Sequence, residues 1–212
     1  MKSRSRFLIG VCLGALCGLA AGGVTIATGD DDDDGPRYEA RAEIFGPPGS
    51  GIRGEARFRQ DDSTEDQPTP VVEVDVVVRG LPREPRERAF HVHEFGTCGP
   101  PFTAAGGHFD AGPAKNTEPE SNHPYHLGDL PELELQGRTF RMHGATTRFV
   151  LQPDHPTTIF DLDGASVIVH QTEDRGDVGP PGRPGPLGSA GGGRDACGVI
   201  EMGDDSDNDD DD

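Results

Sequence analysis

Period-two alternation of apolar and charged residues is the feature that most constrains the fold of this chain. Three stretches show it clearly, at residues 38–44, 54–59 and 72–79. In an extended chain neighbouring side chains point to opposite faces, so each stretch predicts a strand with one buried face. Further candidate strands lie at residues 89–94, 133–136, 139–142, 148–151, 165–170 and 196–202. Because no long stretch has helical periodicity, these short strands predict an all-β domain, either an antiparallel sandwich or a barrel.

The first 27 residues have the composition of a targeting segment. Lys2, Arg4 and Arg6 precede an uncharged, mainly apolar stretch at residues 7–27, which is the pattern of an export signal. The stretch is also long enough to span a bilayer. We therefore predict that residues 1–27 are a signal peptide or an N-terminal membrane anchor, and that the protein is exported to the periplasm, the medium or the cell surface. Contact with a membrane is expected only if this segment is not cleaved.

Negative charge dominates the rest of the chain. The formal net charge is −19, and it becomes −22 without residues 1–27, which hold three cations and no anions. Such a charge makes nucleic acid an unfavourable partner. Runs of aspartate with few apolar residues cannot bury enough surface to fold. They predict an acidic disordered linker at residues 28–37 and an acidic disordered tail at residues 203–212, which leaves residues 38–202 as the folded domain.

The cysteines agree with export. Cys12 and Cys17 lie in the N-terminal segment, so a cleaved chain keeps only Cys98 and Cys197. An even pair in an exported protein is most simply one disulfide, although two free thiols could also serve as soft metal ligands.

Histidines are concentrated between residues 91 and 170. His91 and His93 flank one residue of a predicted strand, so their side chains project the same way from Cα atoms roughly 6.5 to 7 Å apart. An isolated pair of this kind is usually two satisfied polar residues on a half-buried strand. Here the same segment also contains His108, His123, His126, Asp129 and His170. Most of these candidate ligands lie in or beside two long segments without strand patterns, residues 96–130 and 171–195, which we interpret as functional loops.

Five motifs carry a family resemblance: HVHEFG at residues 91–96, AGGHFD at 105–110, HLGDLP at 126–131, VIVH at 167–170 and GRDACGVI at 193–200. In order and spacing they resemble the copper/zinc superoxide dismutases, most closely the exported bacterial-type branch. The resemblance covers roughly residues 38–202. It implies an eight-stranded antiparallel Greek-key barrel or immunoglobulin-like sandwich with two long functional loops.

The resemblance also implies roles for individual residues. The residues that match the copper ligands are His91, His93, His108 and His170. Those that match zinc ligands are His108, which bridges the two metals, His126 and Asp129. Arg194 matches the arginine that guides the anion and is, with His108, a candidate catalytic residue. Asp174 matches the carboxylate that links the two sites, and Cys98 with Cys197 matches the intrasubunit disulfide. Imidazole and carboxylate ligands suit copper and zinc.

One ligand of the family pattern is missing. Another zinc histidine is expected about halfway between the residues that match His108 and His126, where this chain has Lys115, Asn116 and Thr117. His123 is the only spare histidine in this loop, and we hypothesise that it is the substitute zinc ligand. The alternative is that His123 is an exposed loop residue and the zinc site is weakened or absent.

The resemblance implies an enzyme that converts superoxide to dioxygen and hydrogen peroxide by alternate reduction and oxidation of a histidine-bound copper. Two alternatives stay open: a dismutase that uses copper alone, and a noncatalytic copper/zinc-binding or copper-delivery module on the same fold. The expected partner is the superoxide anion. The sequence is compatible with a homodimer but does not specify one.

Overall fold

The alternating stretches form the strands of an antiparallel sheet. The computed structural model describes residues 38–61, 69–111, 123–175 and 190–203, so the predictions for residues 1–37, Asn116 and residues 204–212 lie outside the described residues. The strands are β1 Tyr38–Phe45, β2 Arg53–Gln60, β3 Val72–Arg79, β4 Glu87–Arg88, β5 Phe90–His93, β6 Leu133–Gln136, β7 Thr139–Thr146, β8 Ser166–His170, β9 Arg194–Val199 and β10 Glu201–Met202. Eight of these described strands have four or more residues, and the all-β prediction is confirmed.

The order of the strands closes the sheet into a near-complete barrel. Neighbours follow the order β4-β6-β7-β3-β2-β1-β9-β8-β5, and β10 pairs with β1. The two edge strands β4 and β5 are separated in sequence by Ala89 alone, so one segment of chain forms both edges. The connections from β3 to β4 and from β7 to β8 cross over intervening strands, as the Greek-key prediction requires.

The barrel interior is filled by the apolar residues of the alternating pattern. Val72, Val74, Val76 and Val78 of β3 are at most 1% exposed, whereas the charged residues between them lie on the outer face. Outside the interior, a second apolar cluster contains Phe102, Ala105, Ile168 and Cys197, with Cys98 packed against it. Part of this cluster comes from the first long loop, which contains a 3₁₀ helix at Thr103–Ala105.

A disulfide attaches the first long loop to β9. Cys98 and Cys197 are bonded with their Cα atoms 5.6 Å apart, and the bond joins residues 99 positions apart in sequence. The prediction of one disulfide is therefore confirmed, and free thiols as metal ligands are excluded.

The expected strand at residues 148–151 is wrong. Phe149 and Leu151 are buried, but this segment makes only an isolated bridge between Val150 and Thr158. The N–H of Leu151 donates to the side-chain Oε1 of the buried Gln60 in β2 at 2.6 Å and not to a backbone carbonyl. The apolar pattern therefore belongs to a loop whose buried side chains pack into the core.

Within the described residues, no helix is long and apolar enough to cross a membrane.

Candidate metal centre

Backbone pairing brings the first set of candidate ligands together. On one side β5 pairs with β8, the strand that ends at His170. On its other side β5 has no strand neighbour in the described sheet. There it contacts the first long loop, through the bridges His93 to His108 and His91 to Asp129. The N–H of Val92 donates to Gly128 O at 2.9 Å, and the N–H of Phe109 donates to Val92 O at 2.9 Å. Two loop positions far apart in sequence are thereby fixed beside the His-x-His pair.

The four residues predicted to bind copper form one buried group. His91, His93 and His108 are 0% exposed, and His170 is 2% exposed. Each of the four can offer one ring nitrogen such that all four nitrogens lie within 4.8 Å of one another. The structure therefore brings together the complete predicted copper set.

The hydrogen bonds of three rings fix which nitrogen carries the proton. His93 Nδ1 donates to Gly106 O at 3.1 Å, and His170 Nδ1 donates to Gly192 O at 3.2 Å. His91 Nε2 lies 2.9 Å from Asp174 Oδ2 and donates to this carboxylate. A neutral imidazole has one N–H, so the opposite nitrogen of each ring is an unprotonated acceptor.

These unprotonated nitrogens point at one another. His91 Nδ1 lies 3.2 Å from His170 Nε2, and His93 Nε2 lies 3.3 Å from the same atom. Facing lone pairs repel each other unless a cation lies among them. Nitrogen ligands about 2.0–2.1 Å from a tetrahedral metal would be about 3.3–3.4 Å apart. The spacing in this group is therefore that of metal ligands.

The predicted zinc residues surround a single carboxylate. Asp129 Oδ1 lies 2.7 Å from His108 Nδ1 and 3.3 Å from His123 Nδ1, and Asp129 Oδ2 lies 3.1 Å from His126 Nδ1. Asp129 Oδ2 also accepts the backbone N–H of His126 at 2.9 Å. Imidazole and carboxylate are ligand types that zinc accepts. The ligand atoms that lie within 4.8 Å of one another here are those of His91, His108, His123 and Asp129, without His126.

His123 lies inside this group. It is 2% exposed, and its ligand atom lies within 4.8 Å of those of His91, His108 and Asp129. Within the described residues neither of its ring nitrogens makes a hydrogen bond of acceptable geometry, and the same holds for Nε2 of His108 and of His126. Buried polar atoms normally have partners, so these unpartnered nitrogens indicate that the pocket fits metal ions.

Asp174 connects the two groups. Its Oδ2 accepts from His91 Nε2 at 2.9 Å, and its Oδ1 lies 3.3 Å from His123 Nε2. The backbone N–H of Asp174 donates to Glu132 Oε1, and this contact helps to fix the position of Asp174. The bridge from Asp174 to Ala190 holds this start of the second long loop.

Burial sets the charge of the copper group. It lowers the pKa of His93 and of His170 well below the ordinary histidine value, and it lowers the pKa of His108 to about 3. The positive charge of neighbouring histidines would lower these values further. The rings of His93, His108 and His170 are therefore neutral at physiological pH and can donate their lone pairs to a metal.

His123 and the two carboxylates beside it have the opposite electrostatics. Burial would lower the pKa of His123, but Asp129 and Asp174 override burial and raise it to about 9. Burial would raise the pKa values of the two carboxyls, but the surrounding histidines hold both below the ordinary range. Two carboxylates that share a histidine cation form a site in which a metal ion can replace the proton.

Arg194 lies next to the copper group. Its Nη1 donates to Phe102 O and its Nη2 donates to Gly106 O, the same carbonyl that accepts from His93. Arg194 is also paired with His170 across β8 and β9. Burial lowers the pKa of its guanidinium, which nevertheless remains charged.

Several contributors to the site have no signal in the sequence. The carbonyls of Gly106 and Gly192 orient two histidines, and any residue type has a carbonyl. Arg148 donates to the carbonyls of Pro124, His126 and Asp129, and it reads in the sequence as an ordinary surface cation. His143, by contrast, is exposed and pairs with Asp75.

Comparison with known proteins agrees with this geometry. The family model described as "Copper/zinc superoxide dismutase (SODC)" matches residues 52–200. The chain is 31% identical to a Cu-Zn superoxide dismutase of Deinococcus radiodurans over 174 residues, which is 76% of this chain and 83% of that protein. It is 28% identical to Cu-Zn superoxide dismutase 2 of Aquifex aeolicus over 187 residues, 87% of this chain and 98% of that protein. Over 120 residues, 53% of this chain and 59% of the relative, it is 38% identical to a Cu-Zn superoxide dismutase of Neisseria meningitidis. The chain therefore belongs to the copper/zinc superoxide dismutase family.

Proposed function

We propose that this protein dismutes superoxide with copper held by His91, His93, His108 and His170. The observation that carries the proposal is the convergence of their ring nitrogens beside the guanidinium of Arg194. When bound, copper would supply the alternating one-electron oxidation and reduction by which two superoxide anions become dioxygen and hydrogen peroxide.

Zinc, in this proposal, is held by His108, His123, His126 and Asp129. The support for His123 is that Asp174 contacts both this ring and the ring of His91. Through Asp174 the loop histidine and the copper ligand constrain each other, because a carboxylate that contacts a metal-binding histidine fixes the orientation of its ring. In this proposal His108 serves both ions, which is supported by the contact of its Nδ1 with Asp129 and by its Nε2, which has no partner among the described residues.

Arg194 has the role of attracting and orienting the substrate anion. The chain carries a formal net charge of −19, so approach of an anion needs a local field of the opposite sign. Arg194 is half-buried, where its charge is less screened than at the surface. Electrostatic guidance of the anion is an established property of superoxide dismutases. The two carbonyls that hold the guanidinium fix its direction beside His93.

We also propose that the enzyme works outside the cytoplasm after export through residues 1–27, cleaved or retained as an anchor. The disulfide supports an oxidising location, because such bonds form and persist in exported proteins. Residues 38–202 are then the catalytic domain, between an acidic linker and an acidic tail.

The test is metal analysis of the purified exported protein, combined with superoxide dismutation before copper removal, after it, and after copper is restored. We expect one copper and one zinc per chain, and activity that follows the copper content. Copper binding without dismutation would refute the enzyme and favour a noncatalytic copper module. Full activity with copper but no bound zinc would refute the zinc assignment and favour a copper-only dismutase.

A further inference from the structure

Arg88 is a buried cation that no step of the proposed reaction uses. Its side chain is 2% exposed, and its guanidinium lies over the ring of Phe140, 5.4 Å from the ring centroid. Nη1 donates to Asp195 Oδ2 at 2.7 Å and to the carbonyls of His170 and Gln171 at 3.1 and 3.0 Å. Nη2 donates to the carbonyls of Pro82 and Glu84, both at 3.2 Å. Burying a charge is unfavourable unless it is paired, so this set of contacts is the reason that Arg88 can lie here.

Two of the residues that Arg88 contacts, His170 and Asp195, lie at or beside the metal centre. His170 is the proposed copper ligand at the end of β8, and Asp195 follows Arg194 directly in β9. The backbone is stitched at the same place, since Ala89 accepts the N–H of His170 at 3.0 Å and donates to Thr172 O at 2.9 Å. Arg88 therefore connects β4, at one edge of the sheet, to the ends of β8 and β9 beside the copper site.

The pairing of β8 with β9 changes register at this point. Ser166, Val167, Ile168 and Val169 pair with Val199, Gly198, Cys197 and Ala196 in regular antiparallel order. Continued pairing would put Asp195 opposite His170, but the observed partner of His170 is Arg194. Asp195 is thus the extra residue of a β-bulge, the kind of irregularity that redirects a side chain beside an active site.

The bulge decides the sign of the charge beside the copper ligand. Residues opposite each other in a sheet share a face, so regular pairing would place the carboxylate of Asp195 on the face of His170. With the bulge, the guanidinium of Arg194 takes this place, and the carboxylate binds Arg88 instead. An anionic substrate would be repelled by the first arrangement and attracted by the second.

We propose that Arg88 is a positioning residue that binds Asp195 and thereby holds the bulge that places Arg194 opposite His170. The role of Arg194 toward the anion rests on the proposed function, but its placement by Arg88 and Asp195 does not depend on any metal. Arg88 acts through two other residues and touches no substrate.

The first experiment measures the placement of Arg194 without metals. Hydrogen exchange of the Arg194 guanidinium is followed by NMR in metal-free, ¹⁵N-arginine-labelled protein, with the signal assigned from the Arg194→Lys variant. We expect slow exchange in the parent protein and exchange at least about tenfold faster in Asp195→Ala, because its hydrogen bonds to Phe102 and Gly106 loosen. The control is Asp75→Ala, which removes the carboxylate of the exposed pair Arg59–Asp75 on β2 and β3.

The second experiment uses azide as the anion and copper-loaded protein. Loss of a negative charge near the site should tighten azide binding if Asp195 acts only through its field. The proposal expects the reverse, azide binding about tenfold weaker in Asp195→Ala, and no further weakening in Asp195→Ala combined with Arg194→Ala. This non-additivity separates positioning from a general loss of stability, which would weaken binding in either background.

Unchanged guanidinium exchange in Asp195→Ala, or tighter azide binding, would overturn the proposal. If Asp195→Ala does not fold, the same measurements are made on Arg88→Met combined with Asp195→Leu, which removes both charges together and leaves neither buried alone. A parent protein that binds no copper would refute the proposed function while the exchange experiment still tests the positioning role.

Discussion

Replacing His123 by alanine is the sharpest test of the zinc site, because this residue departs from the family pattern. The change removes a ring that is 2% exposed and has its two nitrogens 3.3 Å from Asp129 Oδ1 and 3.3 Å from Asp174 Oδ1. If His123 binds zinc, one of four donors is lost. If it is only a buried loop histidine, zinc retains all its donors.

The size of the effect follows from sharing the metal-binding free energy among the ligands. Structural zinc sites are stabilised by about 10–16 kcal/mol, which is about 2.5–4 kcal/mol per donor. At about 1.4 kcal/mol per factor of ten, His123→Ala should weaken zinc binding by about 10²- to 10³-fold. Copper affinity should fall by no more than about tenfold, because His91 keeps its 2.9 Å contact with Asp174.

Zinc affinity is measured by competition with a chromophoric chelator, and copper affinity is measured in parallel. Asn116→Ala is the matched control for the position at which the family has a histidine. His143→Ala is the control for loss of a histidine, since His143 is exposed and lies on β7. Equal zinc retention in His123→Ala and Asn116→Ala would refute the assignment.

Three further predictions concern the anion, the disulfide and a close backbone approach. Arg194→Ala should lower the superoxide rate and flatten its dependence on ionic strength, and a salt series that matches the parent protein would contradict this role. Cys98→Ser should lower the free energy of unfolding by about 4–5 kcal/mol in urea titrations, because the disulfide joins residues 99 positions apart; a loss below about 1 kcal/mol would contradict the loop-closure account. Gly191→Ala should weaken copper binding, because a Cβ there would lie 2.6 Å from His170 Cβ and 2.5 Å from Ala89 Cβ. Gly137→Ala is its control, with a similar positive φ and nothing within 4 Å of the added carbon; equal copper affinity in the two variants would refute the steric argument.

The strands could be predicted because each has one wet face and one dry face. In β3 every second residue is buried, so alternation in the sequence maps directly onto the sheet. Residues 148–151 have the pattern of a strand because Phe149 and Leu151 are buried, but they form no ladder. Periodicity reports which side chains are buried, and it cannot report where a backbone N–H finds its acceptor. The short strand β4 escaped prediction because two residues carry no period.

The metal ligands could be predicted because their residue types are rare in an apolar interior and their spacing matches a known family. Arg88 could not. It lies just before the predicted strand at residues 89–94, and its partner Asp195 is 107 positions away. Nothing local distinguishes an arginine that will be buried from one that will be solvated. The β-bulge escaped for the same reason, since a shift of one residue in pairing is a property of two strands together.

The contact between β5 and the first long loop links metal content to solubility. Among the described residues, β5 has a strand partner on one side only, and the loop that carries His108 and Asp129 occupies the other side. An uncovered strand edge is a template on which another chain can add a strand, the route to aggregation. Backbone hydrogen bonds hold this loop against β5. Metal ions bound by His108 and Asp129 would add to them and would help to keep the edge covered. We expect the metal-free chain to aggregate more readily as well as to lose activity.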